Sequence, residues 1–367
     1  KSRHRMSEET AETLVRSYMS TEQPVYSFGW QGGEPTLMGT DFFRFVVDRQ
    51  KAHGRTGARV ANGLQTNGIA ISDEMAQLFH DYSFLLGVSL DGPAELHDRY
   101  RKDAAGKGTH ARVLQGIKKL EAAGVDFNIL VLVSAANVNH GREVYRYLVD
   151  QGFYYHQYIP CLEKAPDGAP AEFSIDGEGW GEFLTQVHDE WIKGDQRRVS
   201  IRHVDSILQL LVNGAVTSCT MGGACNAYFV VEYNGDVFPC DFYVQDDLRL
   251  GNIAADSWEA LIASPARRKF AAAKARWPAS CSSCSYLHLC SGDCVKHRNP
   301  VSELCSGWKR YYGHALHDLE SLAASVPKQP GSTGALFDPA TLDPEEKCYC
   351  GSGKKAKHCH AAPYINC

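Results

Sequence analysis

The sequence VYSFGWQGGEP at residues 25–35 indicates how the first half of the chain folds. Its apolar run, Val25–Trp30, predicts a strand, and the adjacent glycines Gly32 and Gly33 predict a turn where the backbone can approach a ligand closely. Glu34 follows the glycines and could accept a hydrogen bond from an amine. Two glycines between a strand and a helix can also form a turn without any ligand, so the residues alone leave both alternatives open.

The strand-to-helix pattern recurs through the first half of the chain. Apolar, β-branched runs alternate with segments whose apolar residues are spaced as on one face of a helix. This alternation predicts an α/β fold with a parallel sheet or barrel. Further strands are predicted at Arg59–Gln65, Phe84–Leu90, Phe127–Val133 and Tyr155–Ile159, and helices at 7–22, Asp41–His53, Ser72–His80, His110–Ala123 and about Gly141–Gln151.

Polar side chains also follow the second and third predicted strands. Gln65 and Asn67 close the second strand, and Ser89 closes the third. Because parallel α/β barrels bind their ligands at the carboxyl ends of the strands, three such ends in succession predict one shared pocket. Arg101 comes soon afterwards and suits a carboxylate ligand, although it could equally belong to a solvated run of charges.

The bulk composition excludes several classes of function. The chain has 367 residues, 44% of them hydrophobic, which allows one large catalytic domain plus smaller modules. A formal net charge of -5 without a long basic run gives no sign of nucleic-acid binding. No apolar run approaches the roughly 18 residues of a membrane span, and the start has no signal-peptide pattern, so a cytoplasmic location is predicted. Gly106-Lys107 and Gly353-Lys354 are not phosphate loops, because Arg101 and Cys348 replace the upstream glycine that such loops need.

The chain has thirteen cysteines, and residues 1–160 contain none of them. A long chain without an export signal favours metal binding over disulfide bonds. Four thiolates suit a structural zinc ion or an iron–sulfur cluster, and spacing alone does not choose between them. Eight cysteines share one region with the pattern Cys219-x5-Cys225-x14-Cys240, then Cys281-x2-Cys284-x5-Cys290-x3-Cys294-x10-Cys305.

Asp241 stands directly after one of these cysteines. A carboxylate beside a metal-binding thiol could act as a base with a tuned pKa, or it could be an ordinary surface or capping residue. The other elements predicted in this region are strands at Phe229–Tyr233 and Val237–Pro239, separated by the hairpin turn Asn234-Gly235, and a helix from Gly307 to about Ala324.

These motifs resemble those of a known family. The segment Gly32-Gly33-Glu34-Pro35 resembles the turn that binds S-adenosylmethionine (SAM) in radical SAM enzymes, and the eight cysteines resemble a SPASM domain, which holds two auxiliary 4Fe–4S clusters. Within that group the chain resembles the anaerobic sulfatase-maturating enzymes. The resemblance is carried by Phe28–Leu37, Leu64–Gly68, Gly87–Pro93, Gln157–Leu162, Val199–Leu208 and Val231–Tyr243.

The resemblance implies a domain organisation. A partial (β/α)6 barrel, with its first strand missing, is expected over residues 1–214, and a SPASM domain over 215–325. A linker rich in Pro, Gly, Ser and Thr follows at 326–346. The family also needs a Cys-x3-Cys-x2-Cys motif for the cluster that cleaves SAM, and this sequence contains none. We expect the motif upstream of Lys1, which makes the sequence a fragment that is inactive by itself.

The resemblance also implies roles for individual residues. Gly32, Gly33 and Glu34 are expected to bind the amine of SAM, Ser89 and Arg101 its carboxylate, and Leu162 its adenine. Gln65 and Asn67 are expected to face the pocket, and Asp241 matches the catalytic base. By the family's pairing, the first auxiliary cluster is held by Cys219, Cys225, Cys240 and Cys294, and the second by Cys281, Cys284, Cys290 and Cys305. Three further residues stay without a family role: Cys161 is predicted to be a buried thiol, and His203 and Asp205 either line a channel or pack as a polar pair.

A small motif closes the chain at residues 347–367. Cys348, Cys350, Cys359 and His360 resemble the SEC-C motif, and three cysteines with one histidine suit a tetrahedral zinc ion. The terminal Cys367 has no predicted role.

The expected activity is the radical SAM oxidation of a Cys or Ser to Cα-formylglycine in a sulfatase peptide of the type Cys/Ser-x-Pro-x-Arg. An electron donor such as flavodoxin or ferredoxin is expected as a second partner. Two alternatives stay open: a SPASM enzyme that crosslinks ribosomal peptides, and a metal-binding scaffold without catalysis.

Overall fold

A parallel sheet organises the first part of the molecule. Residues 4–326 are described by a computed structural model, in which six parallel strands lie in the sheet in the same order as in the chain. The five strands predicted for this sheet are confirmed to within one residue at either end, and the sixth strand was not predicted. The strands are β1 Tyr26–Trp30, β2 Val60–Thr66, β3 Leu85–Ser89, β4 Phe127–Val133, β5 Tyr155–Pro160 and β6 Ser200–Ile201.

Helices cover the outer face of this sheet. Ser7 caps the first helix by accepting a hydrogen bond from the amide of Thr10, and Ser72 caps the third in the same way from Met75. These caps explain why the predicted helix starts were close to correct. The helices are α1 Glu8–Met19, α2 Thr40–His53, α3 Asp73–Asp81, α4 Ala94–Tyr100, α5 His110–Ala123, α6 Gly141–Asp150, α7 Gly177–Trp191 and α8 Arg202–Asn213.

An aromatic cluster anchors two of these helices to the sheet. Phe43 of α2, Phe79 of α3 and Phe84 before β3 are nearly inaccessible to solvent. The ring centroids of Phe79 and Phe84 lie 4.9 Å apart, and Phe43 meets Phe79 edge to face at 5.5 Å. Burial of each such ring stabilises the fold by about 2–3 kcal/mol. The cluster therefore holds α2 and α3 against the sheet.

The second part of the chain is dominated by turns and short elements. The predicted hairpin is confirmed, because Val230 and Val231 pair antiparallel with Phe238 and Val237 around Asn234-Gly235. No helix within residues 4–326 combines the length and apolar character needed to cross a bilayer. The elements are β7 Val230–Val231, β8 Asp236–Phe238, β9 Gly251–Asn252, α9 Trp258–Ile262, α10 Pro265–Ala273, α11 Ala279–Ser282, α12 Leu287–Cys290 and α13 Cys305–Ser325.

The long helix α13 returns to pack on α7 of the first part. Its Gly307 sits so close to Gly177 and Gly181 that a Cβ on Gly307 would lie 2.1 Å from the carbonyl oxygen of Gly177. Trp308 of α13 meets Trp180 of α7 edge to face at 5.4 Å. The two parts of the chain are therefore joined by a tight helix–helix contact in which glycines allow the backbones to approach.

Candidate active site and cysteine sites

The Glu34 carboxylate joins the ends of β1 and β2. Its Oε1 accepts hydrogen bonds from the hydroxyls of Thr36 (2.6 Å) and Thr66 (2.7 Å), and its Oε2 accepts one from the amide of Asn67 (2.7 Å). These bonds fix the carboxylate at the edge where the strands end. A carboxylate oxygen can accept more than one hydrogen bond, so Oε2 retains capacity for an amine ligand.

The two glycines before Glu34 need backbone conformations that other residues rarely adopt. Gly32 has a φ of 89° and Gly33 a φ of 52°, both in the left-handed region. A Cβ at either position would meet no atom within 4 Å. The turn is therefore set by backbone conformation, and the space beside it is open to a ligand.

One face of the sheet carries a strip of small residues at these strand ends. Gly29 of β1 lies in register with Gly63 of β2, and Gln65 of β2 lies in register with Gly87 of β3. Strand alternation places Gln65 on the same exposed face, while Leu64 beside it is buried. A Cβ at Gly87 would lie 2.8 Å from the Leu130 side chain, so the open part of this face lies over β1 and β2 beside the glycine turn, with Gln65 at its rim.

Arg101 is held by an acidic residue that the sequence analysis did not single out. Its Nε and Nη2 both donate to the Asp91 carboxylate, which is itself nearly buried. Asp91 Oδ1 also accepts from the amide of Leu132 in β4 (2.8 Å). Arg101 is thereby oriented just beyond the end of β3, and its role toward a SAM carboxylate stays a prediction.

Asp241 lies above the glycine turn although it is distant in sequence. Gln31, the residue before the glycines, donates from Nε2 to Asp241 Oδ2 at 3.3 Å. Tyr228 donates its hydroxyl to Asp241 Oδ1 at 2.7 Å. Burial and this hydrogen bond raise the pKa of Tyr228 well above its ordinary value, so the hydroxyl stays protonated and acts as a donor. Gln31 and Tyr228 were both missed from the sequence, although the position of Gln31 beside the glycines was a usable signal.

The remaining residues singled out from the sequence lie near or behind this region. Leu162, just beyond β5, is almost fully buried, and so is Cys161, as predicted. His203 packs among the rings of α13, with 4.7 Å between its centroid and that of Trp308. Burial lowers the pKa of His203 to about 4. Asp205 accepts from the hydroxyl of Ser200. These contacts favour packed polar residues over a channel lining.

The cysteines of the second part form two neighbourhoods. All nine cysteines within residues 4–326 are free thiols, which excludes disulfides there. Four of them line one cavity of about 250 Å³: Cys281, Cys284, Cys290 and Cys305. The other four of the eight-cysteine region lie close enough to influence one another's ionisation or that of Tyr243: Cys219, Cys225, Cys240 and Cys294. This grouping agrees with the family's pairing, which itself stays a prediction.

The geometry of the thiols bears on the kind of metal. In the described part of the chain, no three Cys, His, Asp or Glu side chains converge on a point that could hold one metal ion. Sulfurs around one tetrahedral zinc would stand roughly 3.8 Å apart, whereas those around a cubane bind different iron corners and stand further apart. A cubane cluster would therefore not require three of the thiols to meet at a single point.

Burial raises the pKa of six of these thiols in the protein alone: Cys219, Cys225, Cys240, Cys290, Cys294 and Cys305. It raises the pKa of Cys240 to about 12, although the amide of Phe242 and the hydroxyl of Tyr228 oppose the shift. It raises the pKa of Cys294 to about 11. The thiols become good ligands only when a metal displaces their protons. The predicted zinc ligands Cys348, Cys350, Cys359 and His360, and most of the predicted linker, lie outside the described residues.

Comparisons with known proteins agree with this architecture. The model of the radical SAM superfamily matches residues 1–148, and that of the SPASM iron–sulfur cluster-binding domain matches residues 219–285. A cysteine-type anaerobic sulfatase-maturating enzyme of Clostridium novyi is 34% identical over 325 residues, which covers 86% of this chain and 87% of that enzyme. The chain belongs to the anaerobic sulfatase-maturating enzymes.

Relatives of both types occur within this family. A serine-type sulfatase-maturating enzyme of Bacteroides thetaiotaomicron is 32% identical and covers 89% of this chain and 85% of its own length. The solved structure of native anSMEcpe with bound AdoMet and the Cp18Cys peptide superposes with a TM-score of 0.84 at 32% identity, covering 88% of this chain and 92% of that one. This sulfatase-maturating enzyme is therefore a radical SAM protein whose cofactors include SAM and iron–sulfur clusters, and the type of target residue is not decided by similarity.

Proposed function

We propose that this sulfatase-maturating enzyme oxidises Cβ of a Cys or Ser in a sulfatase peptide to Cα-formylglycine, with Asp241 as the catalytic base. The observation that carries the proposal is the hydrogen bond from Gln31 to Asp241. It joins the turn proposed to bind SAM to a carboxylate from the cysteine-rich part. A substrate side chain between SAM and Asp241 would have a proton acceptor on one side and the source of the radical on the other.

The strand ends supply the proposed SAM site. Gly32, Gly33 and Glu34 would hold the amine, Ser89 and Arg101 the carboxylate, and Leu162 would pack on the adenine. Gln65 and Asn67 would face the pocket. When SAM is bound and reductively cleaved, it supplies the radical that removes a hydrogen atom from Cβ of the peptide. The protein residues keep water out, orient the peptide and accept its proton.

The role of Asp241 follows from the overall balance of the reaction. Oxidation of a thiol or hydroxyl carbon to the aldehyde level removes two electrons and two protons. One hydrogen atom leaves from Cβ, the thiol or hydroxyl proton goes to Asp241, and one electron remains to be taken up. An auxiliary 4Fe–4S cluster is a suitable acceptor for that electron. Serine would give the aldehyde directly, and cysteine a thioaldehyde that water converts with release of sulfide.

The auxiliary clusters are assigned to the two cysteine neighbourhoods. We propose that Cys219, Cys225, Cys240 and Cys294 bind the first and that Cys281, Cys284, Cys290 and Cys305 bind the second. The shared cavity of the second group and the mutual influence within the first support this division. A flavodoxin or ferredoxin is proposed as the electron donor, and the cytoplasm as the site of action.

The test uses the complete gene product, reconstituted anaerobically with iron and sulfide. It receives SAM, a reductant and peptides that contain either Cys-x-Pro-x-Arg or Ser-x-Pro-x-Arg, and peptide mass is measured. An aldehyde on either peptide would establish sulfatase maturation and identify the target residue. Formation of 5′-deoxyadenosine with unmodified peptides would instead favour another SPASM peptide modifier. If neither product forms and zinc is bound in place of iron, the result would favour a metal-binding scaffold without catalysis.

We also propose that the C-terminal motif binds zinc through Cys348, Cys350, Cys359 and His360. Three thiolates and one imidazole are a common tetrahedral zinc set. Elemental analysis of the wild-type protein and a Cys348→Ser/Cys350→Ser variant tests this. Loss of about one zinc per chain is expected, whereas equal zinc in both proteins would reject the site.

A further inference from the structure

The connector between the two cysteine groups has an unusual backbone. Only Ser291, Gly292 and Asp293 separate Cys290 from Cys294. Their φ angles are 43°, 71° and 63°, so three successive residues are left-handed. Single left-handed residues are common at turns, but Ser and Asp adopt this conformation at a cost. Surrounding contacts must therefore hold the connector.

Arg298 supplies most of these contacts. Its Nε donates to the carbonyl of Gly292 at 2.7 Å, and its Nη2 donates to those of Ser291 (2.8 Å) and Asp293 (2.9 Å). The third nitrogen, Nη1, donates to the backbone carbonyl of Lys274 at 2.7 Å. A Cβ at Gly292 would lie 2.7 Å from Arg298 Nη2, so glycine at this position makes room for the guanidinium.

Lys274 provides a further hydrogen bond to the connector. It is only 1% exposed, which is rare for a lysine, because desolvating an ammonium is unfavourable unless it is well bonded. Its Nζ donates to the carbonyls of Asp293 (2.6 Å) and Thr220 (2.8 Å). Those two carbonyls belong to the neighbours of Cys294 and Cys219, which lie far apart in sequence. Lys274 thus ties together two segments that carry cysteines of the first group.

We propose that Lys274 and Arg298 form a cationic clamp that fixes the connector and thereby positions the two auxiliary clusters relative to each other. The inference rests on the proposed division of the cysteines into two cluster sites. Cys290 belongs to one site and Cys294 to the other, so the shape of the connector sets the distance between them. The clamp also offsets the negative charge of the buried Asp293 carboxylate in the connector. Loss of a clamp charge would therefore disfavour the reduced cluster, because a reduced cluster carries one more negative charge.

The test compares two clamp variants with two controls in the full chain. Lys274→Met removes the donor but keeps the length of the side chain, and Arg298→Lys keeps a charge but cannot make four hydrogen bonds. The controls, Lys269→Met and Arg276→Lys, change exposed residues of the same region. Each protein is reconstituted anaerobically, and iron content, midpoint potentials and the magnetic coupling between reduced clusters are measured. Thermal unfolding before reconstitution checks that each variant folds.

The controls are expected to match the wild type, with about eight auxiliary-cluster iron atoms per chain if both clusters are four-iron. Lys274→Met is expected to lower the potential of one cluster or to halve this iron content. Arg298→Lys is expected to change the coupling while retaining iron. Folded clamp variants with wild-type iron, potentials and coupling would overturn the clamp. If Lys274→Met does not fold, Arg298→Lys alone decides, because it preserves the charge. A wild type without iron–sulfur clusters would instead reject the division of the cysteines.

Discussion

Asp241 receives hydrogen bonds from two parts of the molecule while its side chain stays accessible. Its donors are Gln31 beside the glycine turn, and Tyr228 and the Cys240 thiol in the cysteine-rich part. A base needs this combination, because the carboxylate must be held in place and still reach a substrate. Sequence spacing alone left Asp241 as either a base or a surface residue, and the contact with Gln31 favours the base.

Asp241→Asn is expected to lower peptide oxidation at least about 100-fold, because the amide cannot accept the substrate proton. Cleavage of SAM to 5′-deoxyadenosine should continue. Both products are measured by mass spectrometry on the complete gene product, with Asp247→Asn, an exposed neighbour, as the control. Unchanged peptide oxidation by Asp241→Asn would remove this residue from the mechanism.

Tyr228→Phe tests the second donor. A hydrogen bond to a charged group contributes about 1.5–3 kcal/mol, so its loss is expected to slow peptide oxidation roughly 10- to 100-fold. Iron content is measured as well, because the Tyr228 hydroxyl also lies 3.7 Å from Sγ of Cys240, a proposed cluster ligand. Tyr233→Phe on the same hairpin is the control. Equal rates for both variants would show that Asp241 does not depend on the Tyr228 hydroxyl.

At the scale of elements, the glycines of α13 and α7 predict a sharp difference between two substitutions. Gly307→Ala is expected to destabilise the fold by about 1–3 kcal/mol, because its Cβ would collide with the Gly177 carbonyl oxygen. Gly313→Ala, on the same helix, would place its Cβ 3.4 Å from the Tyr286 hydroxyl and should be neutral or stabilising. Thermal unfolding of the two variants measures the difference. Equal melting temperatures would mean that the helices can move apart at no cost.

Most of the sheet was predictable, and most of α7 and α8 was not. The five predicted strands are apolar runs with clear turn residues at their ends. By contrast, α7 begins with glycines at 177, 179 and 181, each of which disfavours a helix by about 1 kcal/mol. The helix forms because Gly177 and Gly181 pack against α13, while Gly179 lies against Val138. β6 contains only Ser200 and Ile201, which is too short for any pattern.

The residues of the candidate site also differ in how far the sequence could indicate them. Glu34 and Asp241 could be proposed from the sequence because they lie within motifs, and their roles stay predictions. Asp91, Tyr228 and Lys274 could not, because their importance arises from contacts across long sequence separations. In the sequence Lys274 looks like an ordinary surface lysine, and only its burial in the structure distinguishes it.

At the scale of the whole molecule, buried histidines predict how stability depends on pH. Burial lowers the pKa of His97, His156 and His203 to about 4, from 6.5 in an unfolded chain. Their contribution to stability is complete above pH 6.5. As the pH falls from 6.5 towards 4, the unfolded chain binds protons that the folded chain does not, so the free energy of unfolding decreases. Each histidine contributes up to about 1.4 kcal/mol per pH unit.

Urea unfolding of the cluster-free protein between pH 7.5 and 5 measures this decrease. His156→Gln should reduce the slope by about the contribution of one histidine, whereas replacement of the exposed His4 should not change it. An identical slope for wild type and His156→Gln would contradict the assignment of a neutral buried ring at that position.

The order of the strands has a consequence for how the protein is made. Because β1 to β6 neighbour one another in chain order, each strand leaving the ribosome finds its partner already present. The sheet can therefore grow during translation. On the proposed ligand assignment the cysteine sites cannot, because the first needs Cys294 and the second needs Cys305. The cell's iron–sulfur assembly machinery would therefore receive a chain whose sheet is already built, and cluster insertion would be the last step of its maturation.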